Sequence, residues 1–205
     1  VTNNGPPFRA DHVGSLLRPP SLRQAYRDHR NGKATDASLA IAQDDSIREA
    51  IALQEAVGLE SITDGEFRRA SYWSSFVERV DGLDIKDAAF TFRDECGHEQ
   101  AFTAPHVSGP VRRQQAIAVD EFNFVRASTS QTPKTTLPSP PSMHFWRVDQ
   151  GIDKAVYPDA KSYFTDLAAV YRQEIAALAA AGSTYIQLDD VPFAMLCDPE
   201  VRAEV

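Results

Sequence analysis

Gly58-Leu-Glu-Ser-Ile-Thr-Asp-Gly-Glu66 and Gly182-Ser-Thr-Tyr-Ile-Gln-Leu-Asp-Asp190 share one plan. In each, a helix-like segment closes in glycine (Val57-Gly58 and Ala181-Gly182), and a short β-rich run follows and ends in carboxylates. A helix, a glycine stop and an acidic strand end is how a β/α protein presents groups at the C-terminal ends of parallel strands. A single such carboxylate is often a solvated loop residue. Two in the same setting point to a site.

Working outward, the pattern predicts four parallel strands: His12–Leu17, Glu60–Thr63, Thr135–Leu137 and Thr184–Leu188. A short helix is expected from a capping box at Ser21-Leu-Arg-Gln24 to Asn31-Gly32. A longer one starts at Thr35 or Asp36 and carries Ile47, Ala50, Ile51, Gln54 and Val57 on one face. Tyr72, Trp73 and Phe76 cluster in a helix after Glu66, either as packing or as a wall of the site. Another short helix begins at Glu121. Phe164, Leu167, Tyr171, Ile175 and Leu178 recur at helical spacing before Gly182. Residues 88–107 break this rhythm. There Ala89-Phe-Thr-Phe92 and Gln100-Ala-Phe-Thr103 read as a β-hairpin inserted into a βα connection, with His98 in solvent at its tip. Residues 1–10 read as a loose arm.

Four β/α units in 205 residues are half of an (α/β)8 barrel, which takes ~250 residues and closes only at its eighth strand. The expected architecture is α/β: a TIM (β/α)8 barrel with its first four β/α units present and an inserted β-hairpin. Residues 1–205 would form the N-terminal half of a single barrel domain. A small open α/β sheet is the competing reading. It would lack a phosphate loop, because neither G-x-G-x-x-G nor G-x-x-x-x-G-K occurs.

The net charge of -8 and the interspersed basic residues argue against nucleic acid and against an anionic membrane surface. No run approaches the ~18 apolar residues of a membrane span, and Val1-Thr-Asn-Asn-Gly-Pro-Pro7 has no secretory core. Cys96 and Cys197 match neither a CxxC spacing nor a disulfide scaffold, so a cytoplasmic setting is expected. Cys197 reads first as a small buried hydrophobe, and otherwise as a reactive thiol or ligand.

The candidate site residues cluster after the expected strands. His12, Val13, Gly14 and Ser15 lie where the first runs into a loop: Gly14 lets a ligand approach the backbone, and Ser15 can donate to a carboxylate. Asp64 and Glu66 flank Gly65 after the second, an anionic pair suited to an ammonium group or to pairing with Arg68 or Arg69. Trp146, behind Pro138-Ser-Pro-Pro141, suits a flat ring system or a lid. Asp189 and Asp190 end the fourth strand and can hold an amine. The carboxylates carry no sugar-specific pattern, and His12, His98, His106 and His144 are too scattered for a zinc cluster.

Asp11-His-Val-Gly-Ser-Leu-Leu-Arg-Pro19, Gly58 to Arg69, Thr136-Leu-Pro-Ser-Pro140 and Ile186-Gln-Leu-Asp-Asp190 together resemble the cobalamin-independent methionine synthase family, most closely its short single-barrel members. The resemblance implies a (β/α)8 barrel that moves a methyl group from 5-methyltetrahydrofolate, or its polyglutamate, to homocysteine. It implies that Val13 to Ser15 meet the homocysteine carboxylate, that Glu66 and Asp189 hold its amino group in the catalytic site, and that Trp146 lies near the pterin. Asp190 replaces the glutamate usual after that aspartate, and Val191-Pro192 departs from the common Asp-Glu-Pro. The zinc that turns the thiol, with its pKa of ~8.5, into a thiolate is implied to bind through later strands beyond Val205, so no residue here is a metal ligand. The missing half of the barrel would be a partner in the same or an associated chain. Two further readings stay open: an alkyltransferase acting on another thiol or methyl donor, and a non-catalytic half-barrel with a binding role.

Overall fold

The computed structural model describes residues 8, 10–93 and 96–204, so most of the expected N-terminal arm and part of the hairpin tip lie outside the described residues. Along the chain come α1 (Pro20–Arg30), α2 (Asp36–Ala56), β1 (Ser61–Ile62), α3 (Ser74–Glu78), β2 (Val80–Arg93), β3 (Glu99–Arg113), α4 (Val119–Ser128), β4 (Thr132–Pro133) and β5 (Thr135–Pro138). Two 3-10 turns (Pro140–Met143 and Phe145–Gln150) precede α5 (Ala160–Ala180), β6 (Ile186–Asp189), α6 (Val191–Met195) and α7 (Pro199–Glu204). Strands and helices alternate, the sheet is unclosed, and an antiparallel hairpin is inserted. This is the α/β architecture of a partial (β/α)8 barrel. Two compact units form, one from residues 1–72, 119–136 and 181–187, the other from 73–118, 137–180 and 188–205.

In the first unit, α1 starts one residue before the expected capping box. Pro20 occupies the first turn, where its missing N–H costs no hydrogen bond, and no side chain caps the helix. Thr35 does cap α2, accepting from the Ser38 N–H at 3.2 Å. The buried face of α2 joins Leu22, Ile62, Phe67 and Val125 in one apolar core.

β1 pairs in parallel with β4, Ser61 beside Thr132 and Ile62 beside Pro133. β5 pairs with β6. Donors and acceptors advance together, from Thr135 N–H on the Tyr185 carbonyl to Ser139 N–H on the Asp189 carbonyl, so this pair is parallel as well.

The expected first strand does not form. His12–Leu17 lies outside any strand and bends at Gly14, whose φ of 106° breaks the β conformation. Side chains replace the ladder: Thr63 Oγ1 donates to the Gly14 carbonyl at 2.7 Å and Gln187 Nε2 to the Val13 carbonyl at 2.7 Å. Leu16 N–H donates to the Gly65 carbonyl.

In the second unit, β2 and β3 pair antiparallel from Val80 with Arg113 to Arg93 with Glu99, a hairpin longer at both ends than the 88–107 pattern suggested. His98 is exposed, as expected. Trp73 and Phe76 are buried, and the Phe76 ring stacks on Tyr171 at 4.8 Å, the packing reading of the aromatic cluster. Glu174 on α5 is fully buried. It accepts from Arg113 Nε at 2.8 Å and from the Ile117 and Ala118 N–H groups, which fixes the chain just before α4. Cys197 is exposed, which corrects its reading as a buried hydrophobe. It lies in the short segment between α6 and α7.

Two histidines of this unit give it a pH dependence. Burial, with the nearby Lys86 and Arg147 charges, pushes His106 below its ordinary 6.5 against the pull of a backbone hydrogen bond and Asp84. Burial likewise lowers His144, opposed by Asp149. In the unfolded chain both bind protons more readily, so their stability contribution is complete above about 6.5 and is lost as pH falls from there through the folded values. Thermal unfolding followed from about pH 7.5 to 5 should show a falling midpoint before the ordinary carboxylate range near 4 is reached. A midpoint that rises over this interval would contradict the assignment.

Candidate functional site

Gly65 and Glu66 both sit at positive φ, 67° and 60°. For glutamate this is uncommon and costs on the order of 1–3 kcal/mol, which the surrounding contacts must offset. Asp64 Oδ1 accepts the Glu66 N–H at 2.9 Å, and Arg18 Nη2 donates to the Glu66 carbonyl. The reversal turns the Glu66 side chain inward, where it is 5 % exposed. Thr136 Oγ1 donates to Glu66 Oε1 at 2.6 Å, and Arg69 Nη1 approaches the same oxygen at 3.5 Å.

Arg69, 4 % exposed, organises this cluster. Its Nε and Nη2 donate to Glu121 Oε2 at 3.0 and 2.7 Å, and Nη1 donates to Thr136 Oγ1 at 2.9 Å. Burial disfavours its charge, but Glu121, Asp64 and Glu66 outweigh that and hold the guanidinium firmly protonated. Asp64 is buried, and its Oδ2 has no hydrogen-bond partner among the described residues. The cavity bordered by Asp64, Arg69, Glu121 and Thr136 has a volume of only about 10 Å³, too small for a substrate. Asp64, Glu66 and Glu121 thus gather negative charge around the Arg69 guanidinium.

The segment from Asp11 to Ser15 is anchored beside this cluster. Gly14 N–H donates to His12 Nδ1 at 3.1 Å, so the ring proton lies on Nε2 and is donated to Gln54 Oε1 at 3.0 Å. Gln54 also bonds the Thr63 N–H and the Ala50 and Thr63 carbonyls. A Cβ on Gly14 would come within 2.5 Å of Thr136 Cγ2, so the turn tolerates glycine alone. Val13 and Ser15 project outward and are exposed. Burial tends to raise the Asp11 pKa, but hydrogen bonds from Ser61, Tyr185, the His12 N–H and Lys134 prevail and hold it far below the usual carboxylate range.

Three expected site residues belong to the second unit. Asp189 ends β6, and its carbonyl accepts from Ser139 N–H and, at 3.4 Å, from Ser142 Oγ. Asp190, exposed, precedes α6. Trp146 is 3 % exposed, edge-on to Phe102 at 5.5 Å and to Phe145 at 5.2 Å. Among the described residues no group of three or more His, Cys, Asp or Glu is placed to hold a metal. The described residues therefore do not fit a zinc ion by themselves.

Arg69 was expected as a partner of the Asp64 and Glu66 carboxylates and does meet Glu66; three other contributors carried little or no sequence signal as site residues. Glu121 meets Arg69 across 52 positions, and nothing local marks that pair. Lys134, fully buried, donates to Asp11 and to the His12 carbonyl. A lysine flanked by Pro133 and Thr135 between two strands was the available clue. Gln54 stood out only as a polar residue on an apolar helix face.

A family model described as the catalytic domain of cobalamin-independent synthase matches residues 8–202. YxjH of Bacillus subtilis is 32% identical over 202 residues, which cover 97% of this chain and 52% of that protein. Methionine synthase of Sulfolobus acidocaldarius is 29% identical, with 87% and 50% covered. Among solved structures, the chain is similar to the putative vitamin-B12-independent methionine synthase of Listeria monocytogenes, with a TM-score of 0.77, 31% identity, and 96% of this chain and 56% of that one covered. The B12-independent methionine synthase of Shewanella sp. W3-18-1, in complex with selenomethionine, gives a TM-score of 0.62 at 26% identity, covering 82% of this chain and 48% of that one. The chain spans about half the length of these relatives.

Proposed function

We propose a function from the premise that this chain belongs to the cobalamin-independent synthase catalytic-domain family: it supplies the amino-acid-binding half of a barrel that transfers a methyl group from 5-methyltetrahydrofolate to the sulfur of homocysteine, giving methionine. The observation that carries the reading is the Glu66 carboxylate, buried at a strained strand end and held by Thr136 and Arg69. The carboxylates gathered there suit an ammonium group, and burial strengthens that attraction over its value in water. A relative that binds selenomethionine supports an amino acid as the ligand.

In this reading Glu66 and Asp189 hold the amino group, assisted by Asp64 and Asp190. The Val13-Gly14-Ser15 turn, positioned by His12, receives the carboxylate through Ser15. Trp146 supports the pterin from the loop after β5. These groups bind and orient the thiol against the methyl donor, a contribution made through proximity. Activation of the thiol is assigned to zinc ligands outside residues 1–205, and the cytoplasm is the proposed compartment. Among the described residues no helix is long and apolar enough to cross a membrane.

The protein carrying the whole barrel, supplied with zinc, homocysteine and methyl-labelled 5-methyltetrahydrofolate, should release labelled methionine. Faster labelling of a thiol without an amine would overturn the assignment and favour a related alkyltransferase.

A further inference from the structure

A second cavity is lined by residues of the second unit. Its volume is about 200 Å³, and it is bordered by Pro141, His144, Phe145, Val148, Asp149 and Phe164. That is below the ~300–1,000 Å³ of pockets for drug-sized ligands, so an occupant must be small. Val148 borders it at φ 47° and ψ -131°, a conformation that a β-branched residue adopts only under constraint from its surroundings. Strain of this kind clusters at active sites, ligand clamps and switch regions.

The lining has a consistent chemistry. Two phenyl rings border it, a ring type whose face attracts cations, and Asp149 is exposed at the rim. The His144 ring lies 6.0 Å from the Phe164 ring at 79°. Its Nδ1 is buried without a hydrogen-bond partner among the described residues, packed against Gly151, where a Cβ would stand 2.8 Å away. Burial disfavours protonation of this imidazole, so it does not repel a cation. The adjacent Arg147 is committed to the Gln150 and Asp87 carbonyls. Lys154 borders a neighbouring cavity of about 90 Å³ that shares His144 and Asp149.

We propose that the Val148 cavity binds a small organic ammonium, with Phe145 and Phe164 as its ring surfaces and Asp149 as its counter-charge. The test uses this chain with choline and with 3,3-dimethylbutan-1-ol, which has the same shape but carbon in place of the charged nitrogen. Saturation-transfer NMR and titration should show choline binding in the millimolar range or tighter, and the alcohol at least ~5-fold weaker. Phe164→Leu removes the ring but keeps apolar bulk, and Asp149→Asn removes the charge. Each should weaken choline several-fold while thermal midpoints stay within about 2 °C. Equal binding of the alcohol, no choline signal at about 10 mM, or unchanged affinity in both variants would overturn the proposal. So would loss of choline binding in Glu66→Gln, because it would place choline at the amino-acid site.

Discussion

Arg69→Met should destabilise the chain by about 3–5 kcal/mol, the usual cost of removing one partner from a buried ion pair. The methionine fills much of the space but leaves the Glu66 and Glu121 carboxylates buried without the guanidinium that both now meet. The loss should appear in urea unfolding as a lower midpoint with little change in slope. Adding Glu121→Gln to Arg69→Met should recover part of it, because one of the stranded charges is then removed. A loss below about 1 kcal/mol would place Arg69 among ordinary surface ion pairs, and the account of how Glu66 is held would fail.

The second large effect concerns binding in the protein carrying the whole barrel. Glu66→Gln keeps the shape of the side chain and an oxygen for the Thr136 hydroxyl, but removes the negative charge. Losing a charged hydrogen bond to a buried ammonium costs about 1.5–3 kcal/mol, so homocysteine should bind ~10-fold to over 100-fold more weakly. Asp189→Asn should act in the same direction. Affinity for the folate should change little in either variant, because its proposed contacts lie at Trp146 and beyond. Weakening of both ligands together would indicate general damage to the fold.

The parts of this structure readable in the sequence are those written in local spacing. Gly58 and Gly182 end α2 and α5 as the pattern implied, and Ile62 and Ile186 fall in strands. The hairpin was legible from its alternating phenylalanines, though not its reach, since Val80 to Asp87 carries no distinctive β signal. His12–Leu17 was misread as a strand because its apolar residues resemble one. Its partners are the side chains of Thr63 and Gln187 rather than a neighbouring backbone ladder, and such long-range bonds leave no local mark. Glu66 was found as a strand-end acid, but its left-handed backbone was not, since that state is imposed by Asp64, Arg18 and Thr136 together. The Arg69–Glu121 pair and the buried Lys134–Asp11 pair share the same cause: each joins positions far apart in the chain, so only folding brings them together.

Calorimetric titration of the whole-barrel protein with homocysteine and with 4-mercaptobutanoate, its analogue lacking the amino group, tests the central claim most directly. The claim is that Glu66 and Asp189 recognise an ammonium, so homocysteine should bind at least ~10-fold more tightly than the analogue. That preference should shrink in Glu66→Gln. Equal affinity for the two thiols in the unmodified protein would contradict the account.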